Sequence, residues 1–255
     1  MKWNFWHSTA LILLIGLMVA VGFLMPAYSP LWTWILIELI LLLSILVIGH
    51  GLTGVWKGVL VDEENHVSLS RLQMVCWTVT VLSAYLAAAF VNLRMGICES
   101  FSVAVPEQLW LLMGISTTSL VGSPLFKSVK KDKPFTAQKF LGTNTFSLLK
   151  ARGINEIGIM NVGLLVVNKE IKSARWTDLF RGEEVSNAAQ VDLSKIQMFY
   201  FTLIALIIYL VLVGKIFVNT GECIKELPPL TASLLVLLGI SHAGYLTSKA
   251  VPRPV

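Results

Sequence analysis

Long apolar runs alternate with short polar breaks along most of this chain. Six runs are long enough for bilayer-crossing helices, since about 20 residues span a ~30 Å hydrocarbon core. They cover residues 9–25, 31–48, 72–93, 107–122, 196–218 and 230–248. The break at 26–30 is short, which makes the first two runs a hairpin. Pro30 directly follows Ala27-Tyr28-Ser29, which only faintly imitates a cleavage site, so the pattern predicts a retained helix rather than a signal peptide. Trp32 and Trp34 bracket the start of the second run, as suits a membrane interface.

Residues 124–190 form the only extended polar stretch. Within it, 140–151 predicts a short helix and 163–168 a strand. Residues 58–62 give a similar β-like run, with turn material at Asp62-Glu63-Glu64-Asn65. The two strands are expected to pair in a small α/β unit.

The chain also repeats itself. Val67-Ser68-Leu69-Ser70-Arg71-Leu72-Gln73-Met74 returns 124 residues later as Val191-Asp192-Leu193-Ser194-Lys195-Ile196-Gln197-Met198. Each copy leads to a later apolar run ending in the same words, Gly114-Ile115-Ser116 and Gly239-Ile240-Ser241. An internal repeat organises a fold. The segments are therefore an N-terminal transmembrane hairpin (1–50), repeat 1 (51–123), a cytoplasmic α/β region (124–190) and repeat 2 (191–255). The expected fold class is an all-α integral membrane protein: six transmembrane helices with two tandem parallel hairpin repeats and that small α/β region.

Composition supports a membrane chain. Hydrophobic residues make up 55% and charged residues 14%, against about 25% charged in soluble domains. The net charge of +5 reflects orientation rather than nucleic-acid binding. With the polar region inside, the inner segments hold 17 of the Lys and Arg, and the outer side holds Arg94, Lys215 and Lys225. The positive-inside rule then puts both termini in the cytoplasm. The basic run from Lys127 to Lys133 reads as a cytoplasmic marker touching anionic lipid.

Ser70-x-x-Gln73 and Ser194-x-x-Gln197 fit the capping box, which predicts Ser70 and Ser194 as helix caps. A second reading puts Gln73 and Gln197 on a polar path. Small residues recur every fourth position at Gly114, Thr118, Gly122 and at Gly239, Ala243, Thr247, a spacing that lets helices approach closely in lipid. His242 lies beside that stripe. Glu38 sits about 10 Å into the second helix at 1.5 Å per residue. An ionised group there needs a protein or water partner, with Arg94 and Lys215 on the same outer side as candidates. Glu38, Gln73, Gln197 and His242 are the polar-path candidates. Cys98 and Cys223 fall at matching places in the outer loops of the two repeats, a pattern that predicts a disulfide. Cys76 reads as a packing residue. Converging His, Cys or carboxylate ligands, phosphate-binding glycine loops and nucleophile–base sets are missing as motifs, so no metal, cofactor or enzymatic activity is expected.

The motifs S-L-S-R-L-Q-M-V-C-W-T, D-L-F-R-G-E-E-V-S-N, V-D-L-S-K-I-Q-M-F-Y-F-T and L-L-G-I-S-H-A-G-Y-L run through most of residues 56 to 250. In them the chain resembles a group of bacterial multi-pass inner-membrane proteins. No activity is established for that group, so the resemblance implies an architecture and the bacterial plasma membrane, and no functional residues. The expected function is an oligomeric channel-like or transport protein, homo-oligomeric and embedded in lipid. The alternative is a scaffold or effector subunit that docks a cytoplasmic protein partner through residues 124–190.

Overall fold

The computed structural model describes residues 3–25, 29–96, 102–151, 159–218 and 222–252. Its helices are α1 (Phe5–Leu24), α2 (Pro30–Thr53), α3 (Leu69–Met95), α4 (Glu107–Lys131), α5 (Ala137–Leu141), α6 (Asn144–Ala151), α7 (Leu193–Val218) and α8 (Ala232–Ala250). The strands β1 (Ile159–Val162) and β2 (Leu165–Asn168) pair antiparallel in a two-stranded sheet. Five helices, α1 to α4 and α7, are long and apolar enough to cross a membrane. The sixth expected run does form a helix, α8, which is not one of those five.

The chain divides into two compact units. The first comprises Met1–Val59, Met74–Gly114 and Leu203–Val236, and the second Leu60–Gln73, Ile115–Thr202 and Leu237–Val255. In the first unit, His7 Nε2 on α1 lies 3.0 Å from His50 Nδ1 on α2, and the His50 ring stacks on Trp56. Trp34 stacks on Phe217 and donates its indole N–H to Ser83. The stretch before α8 is held by Ala104, whose amide donates to the Lys225 carbonyl and whose carbonyl accepts from Leu227.

In the second unit similar backbone pairings precede α3 and α7. Val61 bridges Val67, and Arg181 bridges Val191, both antiparallel. The Ser68 amide donates to the Leu60 carbonyl, and the Asp192 amide donates to that of Phe180. Inside these, Asp62 donates to His66 and Gly182 to Gln190. The second turn is longer by four residues, and both carry a Glu-Glu pair, Glu63-Glu64 and Glu183-Glu184.

The predicted strand at 58–62 is instead a 3-10 turn at Gly58–Leu60 followed by the single Val61 bridge. β2 therefore pairs with β1, not with that segment. The two regions still meet. Asn65 donates its amide to the Asn168 carbonyl at 2.7 Å, and Asn168 returns the bond to the Asn65 carbonyl at 2.8 Å. Asn65 has φ of 57°, a left-handed conformation that asparagine adopts more readily than most residues. Gly163, at φ 55° between β1 and β2, lies against the Lys130 and Lys131 carbonyls, where a side chain would clash.

Both predicted caps shift by two residues. α7 begins at Leu193, and Asp192 Oδ1 accepts from the amides of Ser194 (3.0 Å) and Lys195 (3.4 Å). Asp192 therefore caps α7, and Ser194 is a second-position residue whose hydroxyl donates to Asp192. A carboxylate at this end also suits the helix dipole. α3 begins at Leu69, so Ser70 lies inside its first turn, and its hydroxyl donates to the Tyr245 hydroxyl. In this register Gln73 and Gln197 are too far along their helices to reach back to the cap.

The predicted packing stripe holds only in part. Gly122 meets Leu246 of α8, and Gly239 meets Ile115. A side chain at Gly114 would meet nothing, and Thr118, Ala243 and Thr247 are exposed. The buried face of α4 is one position over: Leu109, Leu112, Ser116, Ser119, Ser123, Lys127 and Lys130. Steps of three and four keep these positions on one side of the helix. That face passes from apolar to hydroxyl to ammonium along the helix.

Candidate functional site

α4 runs past Pro124 to Lys131, so all of the basic run predicted to touch lipid except Lys133 lies on a helix. Lys127 and Lys130 turn inward and are buried. Lys127 Nζ sits 2.6 Å from Asp62, 2.8 Å from Glu64 and 3.0 Å from Glu183. Lys130 pairs with Glu184 at 2.8 Å, and Lys131 with Glu64 at 2.7 Å and Glu63 at 3.7 Å. Glu183 also takes Lys195 at 2.7 Å and Lys249 at 3.1 Å. Five carboxylates thus meet five lysines from α4, α7 and α8. The two Glu-Glu turns supply four of those carboxylates. Lys195 further donates to the Asp178 carbonyl, and Lys249 to the Ser123 hydroxyl at 2.6 Å.

The cluster is neutral as a whole, which is what permits its burial. A cavity of about 20 Å³ lies among Lys127, Lys130, Glu183, Glu184, Lys195 and Lys249, enough for a single water. Burial raises the Glu183 pKa, but Lys127, Lys195 and Lys249 outweigh it and hold the carboxyl well below its ordinary range. Burial likewise opposes ionisation of Asp62, and Lys127 prevails to lower its pKa. Burial lowers the pKa of His66, against the pull of Asp62 and Asp178.

All three groups bind protons less readily folded than unfolded, so each favours the folded state at higher pH. The contribution of His66 is complete above 6.5, its ordinary value, and fades as pH falls below that. Those of Asp62 and Glu183 are complete above their ordinary values of 3.8 and 4.5 and fade towards lower pH. Thermal unfolding of the purified protein should give a Tm that begins to fall below about pH 6.5 and falls faster below about pH 4. His66→Gln should flatten the upper part alone; an unchanged slope there would refute the role of His66.

Further polar residues of this unit lie on α3, α4, α7 and α8. Gln73 donates to the Thr202 hydroxyl, and Ser119 Oγ is 2.6 Å from His242 Nδ1. The Gln73 carbonyl, the Ser116 and Ser241 hydroxyls and His242 Nε2 are buried with no hydrogen-bond partner. Buried polar atoms are nearly always satisfied, so such groups imply water or a polar occupant. Of the four polar-path candidates, Gln73 and His242 belong to this unit and are buried, while Gln197 is exposed. Glu38 belongs to the other unit. There its carboxylate accepts from Thr80 and Ser83, each at 3.2 Å. Arg94, an expected partner, instead donates to the Met25 carbonyl and to Thr33.

Among the described residues, no three or more His, Cys, Asp or Glu side chains converge as a metal site. Cys98 lies outside the described residues, and Cys76 is the free cysteine among them. The ion cluster was not foreseen from the sequence. Its signal was present as the Glu-Glu pairs at 63–64 and 183–184 and the three-and-four spacing of serine and lysine on α4. Comparison with protein-family models, curated proteins and solved structures finds no match for this chain.

Proposed function

We propose that the protein is a channel-like or transport protein that passes a proton or small cation and works as a homo-oligomer in the bacterial inner membrane. One observation carries this reading. α3 has buried polar side chains along its length, at Ser70, Gln73, Thr80, Ser83 and Asn92, and Thr80 and Ser83 hold the Glu38 carboxylate. An ionisable side chain within a membrane helix is costly and is kept chiefly where an ion or proton passes. Reconstitution into liposomes tests it, with proton, Na⁺ and K⁺ flux measured separately. Wild-type protein should carry at least one of these ions above protein-free liposomes. Glu38→Gln should slow that flux about tenfold or more, the effect of about 1.4 kcal/mol on a barrier. Equal flux in variant and wild type would sink the role of Glu38, and none in wild type would sink the transport reading.

The docking-subunit reading keeps one supporting observation. Leu141, Leu148, Met160 and Trp176, all outside the candidate spans, are exposed, and exposed apolar groups mark interaction surfaces when they are contiguous. If wild-type liposomes carry no ion, and Leu148→Asp abolishes a specific crosslink to one cellular protein, this reading replaces transport.

A disulfide between Cys98 and Cys223 completes the proposal. It would tie the two repeats at their outer ends and stabilise the chain by closing a loop of more than 100 residues, worth about 5 kcal/mol before strain. Thiol labelling of denatured, unreduced protein should find one reactive cysteine per chain. Three reactive cysteines would eliminate the bridge.

A further inference from the structure

A second, larger cavity of about 330 Å³ opens beside the longer of the two repeated turns in the second unit. That volume falls at the lower end of the ~300–1,000 Å³ typical of small-molecule sites. Leu149 of α6 and Ala188 and Ala189 of the turn are buried and form an apolar floor, with Phe180 beside them. Arg175 and Arg181 also line it, and no carboxylate does among the described residues.

Arg181 is held in place by Asp178, 2.8 Å from its Nη2. A guanidinium has five donors in a rigid fork, so one carboxylate contact leaves others for a second anion. Asp178 itself is fixed, because it accepts from the amides of Val67 and Arg175. The arrangement combines an apolar floor, two arginines and a position set by buried hydrogen bonds.

We infer that this cavity binds a small amphipathic anion, a carboxylate or phosphate monoester carrying a short apolar body, with the head group on Arg175 and Arg181 and the body on Leu149, Phe180, Ala188 and Ala189. The site goes beyond the transport reading and does not depend on it.

The test uses full-length protein in phosphatidylcholine nanodiscs, with binding to protein-free discs subtracted. Labelled n-octanoate, n-octyl phosphate and n-octylamine are compared, since they share one tail and differ in head group. The two anions should bind saturably at one site per chain, or one of them should, which identifies the head group. Octylamine should not bind. Octylamine binding as tightly as the anions, or no saturable binding of either anion, overturns the proposal. Arg181→Met should weaken anion binding about tenfold or more through loss of a charge-assisted contact. Because Arg181 also pairs with Asp178, Ala189→Leu provides the second variant. It fills the floor and leaves both arginines, so the folded variant should lose binding even if its Tm drops. Wild-type affinity in folded Ala189→Leu overturns the site.

Discussion

Glu183→Gln should destabilise the second unit more than the loss of any other carboxylate in the buried cluster. The substitution keeps the shape of the side chain and removes its charge. Lys127 would retain Asp62 and Glu64. Lys195 would keep the Asp178 carbonyl, and Lys249 the Ser123 hydroxyl. Two buried ammoniums would then lack a carboxylate. Removing one partner of a buried ion pair costs about 3–5 kcal/mol, because the remaining charge stays desolvated. Glu63→Gln is the control. Glu63 is 65% exposed and lies 3.7 Å from Lys131, so solvent screens the pair and its loss should cost about 1 kcal/mol or less. Thermal unfolding in detergent or nanodiscs separates the two. Replacing Glu183, Lys195 and Lys249 together by methionine should recover much of the loss, since well-packed apolar groups often match a buried ion cluster in stability. Equal Tm values for Glu183→Gln and Glu63→Gln would show that the buried cluster contributes no more than a surface pair.

Asn92→Leu should be the most damaging change in the first unit. Asn92 is buried near the end of α3 and clamps the chain ahead of α8. Its Nδ2 donates to the Ile224 carbonyl at 2.8 Å, and its Oδ1 accepts from the Ile224 amide at 2.9 Å. Leucine is close in size and makes neither bond, so a buried backbone donor and acceptor are stranded. Each stranded group costs about 1–3 kcal/mol, so the loss should be about 2–6 kcal/mol. Asn92→Asp retains the acceptor and should fall between the two. Hydrogen exchange supplies a local readout. The Ile224 amide should exchange faster in Asn92→Leu even where the rest of the protein remains protected. Unchanged protection at Ile224 would show that the clamp does not hold that segment.

The positions of the helices were legible in the order of amino acids alone. Each expected apolar run became a helix, because a stretch of apolar side chains with no breaker has one way to satisfy its backbone in lipid. α3, α4 and α7 extended beyond their apolar runs, because polar residues at their ends found partners in the fold. Similar pairs of backbone bonds also stand ahead of α3 and α7, where the sequence uses the same words.

Which face each helix buries depended on the folded chain. The small-residue stripe at Thr118 and Gly122 and the serine stripe at Ser119 and Ser123 differ by one position, and both follow helical spacing. Periodicity along one helix does not say which stripe a neighbour will cover. The charged residues show the same limit. Lys127 looked like a surface lysine because its partners lie far away in sequence, at Asp62, Glu64 and Glu183. Only folding brings those carboxylates within 3.0 Å. The β-like run at 58–62 failed for a related reason. A strand needs a partner with free backbone groups, and β2 has β1 on one edge and Glu183–Val185 on the other.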